Sequence, residues 1–109
     1  MITLETACRI VQRALPNNRI VGCTEADRIF LFDIPPRRWD GEGSSPAGGE
    51  LEFVWKDTGK HDSMFCAGEQ SIELCDKSET WINHDADIIQ YLSTEDAEFA
   101  KKVQQKRTS

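Results

Sequence analysis

Glu50 to Trp55 alternates strictly, with Leu51, Phe53 and Trp55 on one side and Glu50, Glu52 and Val54 on the other. That period of two fits a β-strand and no helix. The next five residues, Lys56-Asp57-Thr58-Gly59-Lys60, carry turn chemistry. Asp57 suits the turn and Gly59 supplies the positive φ that a hairpin with a bulge requires. His61 to Cys66 is then the returning strand, with Met64 and Cys66 in alternation. An antiparallel hairpin at this place restricts the chain to folds containing an antiparallel sheet.

Two further strands precede it. Arg19 to Thr24 is rich in Ile and Val, and Arg28 to Ile34 places Phe30, Phe32 and Ile34 on one face. Ile29 and Leu31 occupy the opposite face, so this strand is expected to be covered on both sides. The short polar break Glu25 to Asp27 makes the two an antiparallel hairpin.

A helix comes first. Thr3 is a candidate N-cap, and Leu4, Ala7, Cys8, Val11, Ala14 and Leu15 form one apolar stripe over about Leu4 to Leu15. Pro16 stops it. After the last strand the reading is less defined. Ser71 to Leu74 fits a short strand or part of a helix, and Asp85 to Leu92 has helical spacing. Ser93-Thr94-Glu95-Asp96 resembles a capping box, with Ala97, Phe99, Ala100 and Val103 as the apolar face of a final helix. The polar end, 104–109, is expected to fray. The fold class is therefore α+β: an N-terminal helix on a four-stranded antiparallel sheet, with one or two C-terminal helices. A chain of 109 residues fits one domain. With 39% apolar and 29% charged residues, it can bury a core.

Charge narrows the function classes. The formal net charge of −6 disfavours nucleic acid and anionic membrane surfaces as partners, since both need a basic footprint. It suits solubility, or another protein of basic character. No apolar run approaches the roughly 20 residues of a membrane span, and no secretory signal is legible. The expected location is cytoplasmic, with Cys8, Cys23, Cys66 and Cys75 reduced. These four cysteines and His61 and His84 show no recognised zinc spacing, so no metal and no cofactor is expected.

No catalytic motif is present. There is no nucleophile elbow, no Gly-rich phosphate loop before a helix and no zinc-protease or deaminase signature. Cys66 and His61 lie five apart on a strand and face opposite sides, so they do not form a dyad. His84, beside Asp85, looks like a helix start. The acidic stretch from Glu69 to Asp87 lacks the calcium-loop pattern and reads as solvated surface, or as a patch attracting a basic protein.

The long break Pro35 to Gly49 is the candidate binding segment. Trp39 sits in it beside Arg37, Arg38 and Asp40, with Glu42 close by. Trp and Arg are enriched at binding hot spots. The competing reading packs Trp39 back onto the domain's own sheet.

Ile2-Thr3-Leu4-Glu5 with Ala7, then Phe30 and Phe32, Gly48-Gly49, and Val54 through Gly59 together resemble the YrhB-like small immunity proteins of bacterial toxin systems. The resemblance covers residues 1–66. PepSY-type inhibitory modules share a similar Lys-x-Thr-Gly strand end. The resemblance implies a non-catalytic module that binds and occludes a toxin. Two other classes stay open: an accessory or structural component of a phage or mobile element, and a small-molecule or metal binder using the sheet face and the Trp39 loop.

Overall fold

Thr3 begins the structure as the sequence anticipates. Its side chain accepts the Thr6 N–H and starts helix α1 (Leu4–Ala14). Leu15 closes the helix through its N–H to Val11 O. The computed structural model describes residues 1–46 and 50–108.

Four strands follow as successive hairpins: β1 (Gly22–Ala26), β2 (Ile29–Asp33), β3 (Glu50–Trp55) and β4 (His61–Phe65). The segment from Pro35 onward connects β2 to the adjacent antiparallel β3 and hides no crossover. Gly48 and Gly49, which enter the motif match, lie outside the described residues. The 19–21 stretch, expected to be strand, is tied to the segment after β2 by Arg19 N–H to Pro35 O and Val21 N–H to Asp33 O. Regular pairing begins only at Gly22.

The sheet has five strands, where the sequence predicts four. The fifth, β5 (Trp81–Asn83), pairs antiparallel with β1, giving the order β4-β3-β2-β1-β5. Between β4 and β5 the chain forms a short helix α2 (Glu69–Ser71) that runs into a π-helical turn, Ile72–Asp76. So Ser71 to Leu74 is helical, not strand. A 3₁₀ turn (Asp87–Tyr91) follows β5, and helix α3 (Thr94–Thr108) ends the fold. Ser93 caps α3, its Oγ accepting the Asp96 N–H. The helix continues through Thr108, past the point where the polar composition suggests fraying. Gln104 anchors it by donating to both Val21 O and Asp85 O.

The sheet separates two cores, because its side chains alternate in face. On one face α1 and the 3₁₀ turn pack Ala7, Cys8, Val11 and Ile88 against Cys23, Phe30, Phe32 and Val54. On the other, Ala26, Ile29, Phe53 and Met64 pack against Leu74 of the π-helical turn. A third cluster joins Val21, Trp39 and Val103, with Phe99 against them.

Candidate functional site

The Pro35 segment is used internally. Trp39 is 9% exposed, packs in the α3 cluster, and donates Nε1–H to Glu42 O at 3.0 Å. Asp40 Oδ1 accepts the Glu42 N–H, and Glu42 pairs with Lys106 of α3. Arg37 forms a two-pronged pair with Asp96 at 2.9 and 3.1 Å and donates Nε–H to Pro16 O. These residues therefore dock α3. Arg38 lies exposed beside them, but Trp39 offers no free aromatic anchor. Gly41, at φ +90°, brings the backbone against Phe99 and Val103, where a Cβ would sit 3.5–3.6 Å from their carbons.

Asp57 and Gly59 behave as the turn chemistry requires. Gly59 has φ +75°, and its N–H donates to Trp55 O while Trp55 N–H donates to Lys60 O. That is the bulged hairpin.

A charged chain that the linear reading misses crosses the α1 side of the sheet. Lys56, only 7% exposed, donates to Glu25 Oε2 at 2.6 Å and to Ala26 O at 3.1 Å. Glu25 Oε1 meets His84 Nε2 at 2.7 Å, and His84 Nδ1 meets Asp87 Oδ2 at 2.8 Å. Burial opposes the charge on His84, but its bonds to Asp87 and Glu25 outweigh this and hold its pKa above the ordinary value. Burial likewise works to raise the Glu25 carboxyl, and the bonds from Lys56 and His84 overcome it, leaving the pKa lowered. Both imidazole nitrogens face carboxylates within hydrogen-bond distance, so neither is turned toward open space.

The two core thiols, Cys8 and Cys23, are also poor nucleophiles. Burial pushes Cys8 up to about 12, with the charge of Glu5 adding to it. Burial raises Cys23 further, reinforced by Cys8, Asp85 and Glu25. No group of three or more His, Cys, Asp or Glu among the described residues is placed to hold a metal ion. A cleft of about 500 Å³ opens beside Leu15, Asn18, Ile34, Pro46 and Arg107.

Exposed apolar side chains lie elsewhere, among them Phe65 of β4, Ile72, and two residues of β5. Trp81 is 57% and Ile82 45% exposed, on opposite faces of the strand. Asp27 fixes the entry: its two carboxylate oxygens accept the Glu79 and Thr80 N–H groups, both at 2.8 Å. Bonds from Thr80, Glu79 and Ser78 hold the Asp27 carboxyl down to about 2, so it stays ionised. At the exit Asn83 Oδ1 accepts the Asp85 N–H, Asp85 Oδ1 accepts the Cys23 N–H, and His84 N–H donates to Cys23 O. A three-residue strand is thus clamped at both ends. Sequence carried a signal for it, since Thr80, Trp81 and Ile82 are strand formers. The run was too short to separate from its helical neighbours.

Comparison with known proteins finds no matching family model, no matching curated protein and no matching solved structure. No helix among the described residues is long and apolar enough to cross a membrane.

Proposed function

We propose that this chain is a non-catalytic module that binds another protein, in the manner of the small immunity proteins its first 66 residues resemble. The observation that carries the reading is the adjacent exposure of Trp81 and Ile82 on an edge strand held rigid at both ends. Trp is among the residue types most typical of binding hot spots, and one exposed apolar side chain on each face of an edge strand suits a partner that adds to that edge. The net charge of −6 favours a basic partner. The occupied nitrogens of His84 and the raised Cys8 and Cys23 thiols support binding over catalysis. In the Pro35 segment, the binding candidate of the linear reading, Trp39 and Arg37 are engaged with α3.

The test is affinity capture with the full chain and a Trp81→Ala/Ile82→Ser variant of matched melting temperature, in lysate of the source cells. A protein retained by the parent and lost by the variant supports the reading. Equal retention removes β5 from the contact, and no retained protein by either removes the binding role.

A further inference from the structure

A five-stranded open sheet has two edges, β4 and β5, and they differ in how their outward backbone groups are treated. Trp55 N–H to Lys60 O fixes the phase of the β3–β4 ladder. Paired and unpaired positions alternate in an antiparallel ladder, so His61, Ser63 and Phe65 point their N–H and C=O groups outward. Two of these six groups are answered inside the chain, against none of the four at the other edge among the described residues. Asp62 Oδ1 takes the Ser63 N–H at 3.0 Å, and Gly68 N–H donates to Phe65 O at 3.1 Å. Charged side chains and local bonds of this kind blunt an edge against further pairing.

At the other edge, His84 N–H to Cys23 O sets the phase. Glu25 and Ile82 then face each other as a bonded pair, and the N–H and C=O of Trp81 and Asn83 point away from the sheet. Among the described residues none of these four groups has a partner. The clamps at Asp27 and Asp85 hold them in an extended, pre-ordered row.

We propose that β5 accepts an extended, basic segment of the partner as a sixth strand; this rests on the reading of the chain as a protein-binding module. Strand addition draws affinity from main-chain bonds and specificity from alternate side chains. Here Trp81 offers an apolar contact on one face of the added strand and Ile82 on the other. Exposed carboxylates lie at both ends: Asp27 and Glu79 before β5, and Asp87 after it. Lysine or arginine at the ends of the incoming segment would meet them.

Charge also argues against a second copy as the occupant. Twofold antiparallel pairing through Trp81 and Asn83 sets Ile82 opposite Ile82. It would then bring Glu79 against Asp85 of the second copy, a like-charge contact at each end.

The test uses the full chain, ¹⁵N-labelled, titrated with an eight-residue peptide alternating lysine and valine, and with its glutamate-for-lysine counterpart. The lysine peptide is expected to shift the Trp81 and Asn83 amide signals saturably, and the glutamate peptide to leave them in place. Asn83→Pro removes an outward N–H at a position where an edge strand tolerates proline. It should weaken the lysine peptide at least about tenfold. Asn83→Ala loses the same side chain, with its bond from the Asp85 N–H, but keeps the backbone N–H, and should bind more tightly than Asn83→Pro. Should Asn83→Pro fail to fold, Ile82→Lys, which repels the same peptide, is expected to show the same loss. Binding unchanged by these variants, shifts mapping to another surface, or no binding of the lysine peptide would each overturn strand addition. A concentration-dependent dimer dissolved by Ile82→Lys would overturn it in favour of self-pairing. The capture experiment reads the module itself separately, because retention of a partner by β5 does not require this peptide to bind.

Discussion

Trp39 meets Phe99 edge to face, with ring centroids 5.9 Å apart and planes at 84°. Through that contact the segment between β2 and β3 holds the last helix, by Phe99 and Val103, against Val21. A buried Trp truncated to Ala loses its transfer energy and leaves a cavity, so Trp39→Ala should cost about 3 kcal/mol or more. Urea unfolding measures it. A nearly unchanged midpoint would mean that α3 does not depend on this docking.

Lys56 depends on Glu25. Glu25→Leu would leave a buried ammonium with only the Ala26 carbonyl, and removal of one partner from a buried pair costs about 3–5 kcal/mol. Lys56→Met should cost less, because Glu25 keeps His84. The double variant Glu25→Leu/Lys56→Met should then be more stable than Glu25→Leu alone. A double-mutant cycle with additive terms would contradict the pairing.

The same chain sets a pH window. The pKa of His84 is raised on folding, so its contribution is complete below the unfolded value of about 6.5 and is lost as pH rises through the folded value. The Glu25 pKa is lowered, so its contribution is present above 4.5 and lost as pH falls through the folded value. These two groups together favour stability between 4.5 and 6.5. Unfolding midpoints measured from there up to the onset of thiol ionisation should fall. In His84→Gln that decline should vanish, and a variant retaining the parent's slope would assign the effect to another group.

Much of this fold is legible in local pattern. The α1 stripe, the Thr3 cap and the two faces of β2 and β3 follow from spacing alone, because each element buries a periodic set of apolar residues. The charged chain is not legible. Lys56 and Glu25 lie 31 positions apart, and Glu25 and His84 lie 59 apart, so only the pairing of distant strands unites them. Trp39 is ambiguous in sequence for a related reason. A tryptophan among Pro and Gly suits an interface or a core equally, and the choice rests on where α3 comes to lie. Strand β5 is short enough that its clamps, Asp27 and Asp85, matter more than its own propensity.

Gly59 is a backbone requirement. At φ +75° a β-branched residue is strained, and an added Cβ would stand 3.3 Å from Ile2 Cγ2 and 3.5 Å from Ile10 Cδ1. Gly59→Val should destabilise by about 1 kcal/mol or more. Thermal unfolding at matched conditions is the measurement, and an unchanged midpoint would show that the turn relaxes without cost.

The four cysteines should separate by burial. Cys66 is exposed, Cys75 partly buried, and Cys8 and Cys23 sit in the core under α1. A disulfide reagent reacts with thiolate, so access and pKa act in the same direction here. Burial, with the charge of Asp76 and against a bond to Ser71, raises the Cys75 pKa, which slows it relative to Cys66. Titration of the native chain should therefore show one fast thiol, removed by Cys66→Ser, and a slower second. Cys8 and Cys23 should appear only with denaturant, at the rate of unfolding. Rapid native reaction of Cys23 would be incompatible with the core beneath α1, since that side chain can reach solvent only if β1 and the helix part.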